Sequence, residues 1–271
     1  MILLLLPALV FYVLFIVWPV AEVFRLSLYS TNFITTKFVG LSNYIDSFNN
    51  PMFLGALRNS GLYIGLMVLG MVSASVALAI PISRLSKKWQ DTSRIMLYLP
   101  VLSGGIIISQ VWKWVFAPDG VANWALSLVG LEPVSWFGGM IPAIPIIVGI
   151  VIFSSLGSYV IMLLASILAI DRGIFEAAMI DGANDRQIKL KIMVPLLMPT
   201  VALIALLSMI ASLQIFETIY ALCPQEYAYT PTFSIYTMGF KFSKWGMASA
   251  QSVILLLIMV VLSMMKKRVE Q

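Results

Sequence analysis

The chain has 271 residues, 61% of them hydrophobic and 11% charged, against about 25% charged in an ordinary soluble domain. This excludes a water-soluble fold and points to an all-α, polytopic membrane protein. The absence of histidine, the single cysteine (Cys223) and the lack of any Gly-Lys dipeptide exclude histidine catalysis, an internal disulfide and a Walker A phosphate loop, while the net charge of +5 sits at segment ends and reads as orientation in a bilayer rather than nucleic-acid binding.

The chain opens on Ile2-Leu3-Leu4-Leu5-Leu6 without the basic stretch of a signal peptide, and no small-residue cleavage pattern follows. We read it as a retained first span. Apolar segments are expected at about 2–21, 61–83, 95–117, 142–170, 198–222 and 247–265. Each is close to the ~20 residues that cross ~30 Å of hydrocarbon. The fourth is longer, which predicts tilt, a kink or extension beyond the lipid. In the second segment Gly61 and Gly65, then Ser73 and Ala77, recur at i, i+4 and suit close helix packing. Residues 30–58 and 118–140 are rich in Asn, Pro, Gly, Asp and aromatics and read as ordered loops.

Six spans place both termini on one side. That side holds Arg84, Lys87, Lys88, Arg94, Arg172, Arg186, Lys189, Lys191, Lys266, Lys267 and Arg268, most of the 17 basic residues. The positive-inside bias makes it the cytoplasm. We read residues 1–271 as one transmembrane domain.

The segment from about 171 to 197 is the most elaborate of the cytoplasmic connections. Asp171 is placed to cap a short helix with Ile174, Phe175, Ala178 and Met179 on one face. Gly182 suits a left-handed stop. Asp185 is placed to cap a second helix through Val194, which Pro195 and Pro199 would break before the fifth span. The apolar stripe, with Glu176 and Asp181 beside it, must be covered either by the chain's own spans or by a cytosolic partner's groove. In the second case Glu176 is placed to pair with a partner arginine.

Polar residues inside spans tend to face cavities or other helices. Counted by depth, Gln110, Ser154, Ser158, Tyr159, Ser212, Gln214 and Gln251 lie at similar levels on four spans. With Phe216 they form the expected substrate cavity. Hydroxyls and amides match a polyol, and Trp112, Tyr159, Phe216 or Tyr220 could stack on a pyranose. No lysine or arginine lies mid-span, which favours an uncharged sugar over a sugar phosphate. For any single residue, hydrogen bonding between helices is the competing explanation. Lys113, Glu217, Glu22 and Arg25 lie near span ends, where snorkelling or pairing explains them.

Glu176-Ala177-Ala178-Met179-Ile180-Asp181-Gly182-Ala183, followed by Ile192, Pro195 and Pro199, resembles the signature loop of permease subunits in binding-protein-dependent ABC importers. The version here is most similar to the carbohydrate branch, of the maltose and glycerol-phosphate type. Pro7 and Pro19, Ser27-Leu28-Tyr29, Phe38 to Tyr44, Leu57-Arg58-Asn59-Ser60, Ser212 to Glu217 and Gly246 to Ala250 extend the resemblance over the whole chain. It implies a type I importer fold whose loop carries a coupling helix. In that helix Glu176, Ala177, Ala178, Asp181, Gly182 and Ala183 would dock in a cleft of a cytosolic ATPase. It further implies a second homologous permease, giving a heterodimer, two ATPase subunits, an extracytoplasmic binding protein and a prokaryotic inner membrane. This chain itself would hold no cofactor, ATP and Mg belonging to the partners, and would not be an enzyme. The chain departs from the family pattern at Cys223-Pro224-Gln225-Glu226-Tyr227-Ala228-Tyr229, where many relatives have a glycine-rich turn. The alternatives are the same machinery for another solute, such as glycerol phosphate, or an ATP-independent secondary transporter. The latter would need buried coupling charges or inverted repeats, and neither is evident.

Overall fold

The computed structural model describes residues 2–32, 34–222 and 226–269. Cys223, Pro224 and Gln225 of the departing segment lie outside them. Helix α1 (Ile2–Tyr12) passes through a π-turn, Val13–Val17, into α2 (Trp18–Ser27). Pro19 lacks the N–H that would bond back four residues, and the ladder widens just before it. The same pattern recurs at Ile188–Met193, ahead of Pro195. A small hairpin follows α2, with β1 (Tyr29–Thr31) antiparallel to β2 (Thr36–Phe38). Helix α3 (Ser42–Phe48) leads to α4 (Pro51–Ser83).

Helix α4 has 33 residues, about 50 Å at 1.5 Å per residue. The expected start at residue 61 is therefore corrected to Pro51. Asn50 Oδ1 accepts the Phe53 N–H at 3.1 Å. The polar run that suggested a loop is satisfied within the fold: Ser60 donates to the Ala56 carbonyl and Asn59 to the Tyr229 carbonyl.

The third span is also corrected. In place of a single helix over 95–117, α5 (Lys87–Leu102) and α6 (Gly105–Val115) meet at 89°. Pro100 weakens the end of α5, and Gly104 adopts φ +72°, which glycine tolerates without the Cβ clash. Helix α7 (Val121–Leu128) precedes α8 (Met140–Leu168), the long fourth span. Next come α9 (Arg172–Ile180), α10 (Asp185–Gln187) and, after the π-turn, α11 (Val194–Leu213). Pro195 and Pro199 do not break the chain, because the π-turn absorbs the first and the helix runs from Asp185 to Leu213. The fifth span accordingly ends at Leu213, and 217–222 is a separate helix, α12 (Glu217–Leu222). Helix α13 (Pro231–Tyr236) and α14 (Trp245–Val269) complete the chain. Among the described residues, five helices are long and apolar enough to span a bilayer, or six with the bent pair counted as one span.

The packing divides into two compact units, Met1–Ser60 with Tyr229–Val261, and Gly61–Ala228 with Leu262–Gln271. In the first, the buried Asn43 amide donates to the Ser27 and Tyr29 carbonyls at 2.8 and 2.9 Å. Gly246 lies against the same strand, where an added Cβ would come within 1.8 Å of the Tyr29 carbonyl oxygen. Gly246→Ala is therefore expected to cost about 1–3 kcal/mol through overpacking. A thermal unfolding midpoint unchanged from wild type would refute this.

In the second unit, Gly157 of α8 takes up the Leu97 backbone of α5, with an added Cβ falling 2.1 Å from the Leu97 oxygen. Gly70 of α4 meets Ile152 of α8. Ser166 and Thr200 join α8 to α11 at 2.8 Å. The pairs singled out by spacing behave differently. A Cβ added at Gly61 or Gly65 would meet nothing within 4 Å, and Ser73 and Ala77 are not buried. The close approaches of α8 to α4 and α5 fall on Gly70 and Gly157 instead.

Candidate functional site

Two regions carry the expected chemistry, and both lie within the second unit. The first is the 171–197 loop. Asp171 Oδ1 accepts the Gly173 N–H at 2.9 Å and caps α9, as its position suggests. The helix ends in a Schellman motif: Ala183 N–H bonds to the Ala178 carbonyl at 2.9 Å and Gly182 N–H to the Met179 carbonyl at 3.1 Å. Gly182 has φ +83°, the left-handed conformation that this stop requires. The second helix is capped by Asn184, not Asp185. Asn184 and Gln187 form a reciprocal capping box at 2.9 and 2.8 Å. Asp185, one residue inside, pairs instead with Arg84 at 2.9 Å and Lys189 at 2.7 Å. These exposed pairs contribute little stability, but Arg84–Asp185 ties the loop to the end of α4.

Among the described side chains of α9, only Ala178 is buried and Phe175 half-buried. Ile174, Met179 and Ile180 are exposed, Ile180 at 86%. Glu176 and Ala177 are exposed, and Glu176 has no hydrogen-bond or ion-pair partner among the described residues. The chain itself covers Ala178 and part of Phe175 and leaves Ile174 and Met179 of the stripe open. Asp181, Gly182 and Ala183 line a cleft of about 370 Å³ with Gln187 and Lys191.

The second region is a cavity of about 390 Å³. Ser154 of α8 and Gln214 and Phe216 of the α11–α12 break line it. Gly105, Glu217 and Thr218 line it as well. The other residues proposed from sequence are placed differently. Gln110 and Ser158 are exposed and do not line this cavity, and Tyr159 is half-buried. Ser212 is fully buried, donating to the Met209 carbonyl at 2.7 Å. Gln251 is fully buried in the first unit, where its Oε1 accepts from Ser234 at 3.3 Å.

The Ser154 hydroxyl donates to the Val151 carbonyl at 3.0 Å, leaving its lone pairs to accept. Phe216 stacks on Tyr220 with centroids 5.6 Å apart. Thr218 accepts from Ser109 at 3.1 Å. Lys113 is turned to the Ala221 carbonyl at 3.1 Å, and no lysine or arginine lines the cavity. Sequence reasoning missed Glu217 because counting depth along an unbroken fifth span put it at the interface. Its signal was there, one residue after Phe216 and three after Gln214.

The chain is thus mostly helical, with a broken third span and a capped polar loop. The chain superimposes on a chain of a bacterial alginate ABC transporter, solved with an alginate pentasaccharide-bound periplasmic protein, with a TM-score of 0.87. The two are 23% identical, and the match covers 99% of this chain and 92% of that one. No protein-family model matches. The trehalose/maltose transport system permease protein MalF of Thermococcus litoralis is 32% identical over 225 residues, 81% of this chain and 75% of that protein. The lactose transport system permease protein LacF of Rhizobium radiobacter is 28% identical over 268 residues, 96% of this chain and 90% of that protein. The chain belongs to the family of carbohydrate ABC-importer permease subunits.

Proposed function

We propose that this chain forms one half of the translocation pathway of an ATP-driven carbohydrate importer and works by alternating access. The observation that carries the reading is the exposed face of α9. It is a helix with both ends capped, an apolar stripe and a partnerless carboxylate at Glu176 among the described residues. Such a face suits insertion into a partner's groove. We assign the groove to a cytosolic ATPase, with Glu176 paired to a basic side chain there and Ala177, Ala178, Asp181, Gly182 and Ala183 shaping the fit. ATP and Mg are then held by two such subunits and none by this chain. A second permease completes the membrane pathway, and an extracytoplasmic binding protein delivers the sugar. The distribution of basic residues supports a multi-pass inner-membrane protein with cytoplasmic termini.

The sugar site in this reading is the cavity at Ser154, Gln214 and Phe216, where acceptors and an aromatic face meet without a cation. MalF and LacF carry trehalose/maltose and lactose in their names, and the same uncharged chemistry suits this lining. The reading is tested by affinity purification from native membranes with mass spectrometry, followed by uptake in proteoliposomes. Co-purification of an ATPase and a second permease, with uptake only when all are present and ATP is supplied, is the expected result. Sugar uptake by vesicles holding this chain alone would overturn the reading in favour of an ATP-independent transporter.

A further inference from the structure

Glu217 is the one acidic residue in the cavity lining, at the first position of α12. Its carboxylate lies over the start of α6: a Cβ built on Gly105 would fall 2.2 Å from Glu217 Oε2. Gly105 opens α6 directly after the 89° bend that separates it from α5. The N-terminal end of α6 favours a negative charge beside it. That contact, however, leaves the carboxylate's hydrogen-bonding capacity unused. Glu217 is exposed to the cavity and makes no hydrogen bond or ion pair among the described residues. Lys113, the cation of α6, is directed to the Ala221 carbonyl instead.

An ionised carboxylate is acceptor-only, with two oxygens that take a pair of donors side by side. Vicinal hydroxyls of a glycan supply such a pair, and so does the ammonium of an amino sugar. Ser154 adds acceptor capacity, Gln214 an amide and Phe216 an apolar face. A uronate or sugar phosphate would bring a second negative charge into the same space. No lysine or arginine of the lining would offset it, and like charges at close range repel.

We propose that Glu217 is the specificity-determining residue of this cavity, accepting hydroxyl or ammonium donors of an uncharged or cationic glycan and excluding anionic ones. The assignment rests on the cavity being the sugar site. It differs from the expectation that Glu217 serves only as an interfacial residue.

The test uses the complete importer, purified without its binding protein, on an array of labelled neutral, amino and uronic-acid oligosaccharides. The variants are Glu217→Gln, Glu217→Ala and a cavity plug, Ser154→Trp, each checked for intact assembly by co-purification. Wild type is expected to hold neutral or amino glycans and no uronic-acid glycans, the two positive arms separating hydroxyl from ammonium recognition. Glu217→Ala should weaken that binding by about tenfold or more, the scale of losing hydrogen bonds to a charged group. Glu217→Gln should keep most neutral binding and admit uronic-acid glycans. A wild type that holds uronic-acid glycans, or a Glu217→Gln profile identical to wild type, overturns the assignment. If Ser154→Trp abolishes binding while both Glu217 variants behave as wild type, the cavity stands and Glu217 alone is misassigned. If Ser154→Trp leaves binding intact, the cavity itself is not the site and the assignment falls with it.

Discussion

Glu176→Ala is expected to lower ATP-driven uptake by the assembled importer by about tenfold or more. Truncating one partner of a buried, hydrogen-bonded charge pair at an interface typically costs about 2–5 kcal/mol. In the isolated chain Glu176 is exposed and without a partner among the described residues, so its loss disturbs no internal contact there. The membrane fold should therefore be retained, with an unchanged unfolding midpoint for the chain alone. The loss should appear as reduced ATPase co-purification or as ATP hydrolysis no longer linked to uptake. Wild-type association and uptake in this variant would refute the ion-pair assignment. Gly182→Val provides an internal comparison at the same loop. It places a β-branched residue at φ +83°, which strains the Schellman stop itself.

The second large effect is expected at Gly157. A side chain there would bring its Cβ to 2.1 Å from the Leu97 oxygen and 2.6 Å from the Leu97 carbonyl carbon. Both are backbone atoms of α5, which cannot swing aside as a side-chain tip can. Gly157→Val must therefore part α5 from α8. Overpacking of this kind costs about 1–3 kcal/mol, occasionally more. We expect the chain to fail to accumulate in folded form. Gly157→Ala should accumulate with a clearly lowered midpoint. Gly61→Ala is the matched control, because nothing lies within 4 Å of a Cβ at Gly61. In the purified chain it should stay within about 0.5 kcal/mol of wild type. Equal midpoints for Gly157→Ala and Gly61→Ala would contradict this packing of α5 on α8.

These two glycines show which features the sequence made visible. Apolar segments announce helices because length and hydropathy suffice to fill a bilayer. The spacing of Gly61 and Gly65 says that a close approach is permitted, not that one occurs. Gly157 carries no periodic signal, and its role depends on where α5 arrives. The loop was legible in detail because capping is local chemistry. Asp171, Gly182 and the short helix between them follow from neighbouring residues alone. Even there, Asn184 displaced Asp185 as the cap, since Gln187 stands three residues after it and closes a reciprocal capping box, whereas Asp185 has Ile188 at that position.

The cavity was legible only in part. Ser154 and Gln214 could be placed by depth and Phe216 by its stacking chemistry, but Ser212 of α11 turns inward because angle, not depth, decides what a side chain faces. Glu217 was hidden by the break after Leu213, and Gly105 by the 89° bend at Gly104. Breaks like these depend on tertiary packing. They also build the cavity, because they bring the ends of α6, α11 and α12 to its wall beside the flank of α8.

The central claim is that α9 is the part of this chain that receives the ATPase stroke. The most direct test is a cryo-electron microscopy structure of the importer purified with its native partners. We predict α9 seated in a cleft of a nucleotide-binding subunit, with the Glu176 carboxylate within about 4 Å of a partner arginine or lysine, the range of an ion pair. An assembled complex in which Ile174, Met179 and Ile180 remain uncovered, and no other chain touches Glu176, would contradict it.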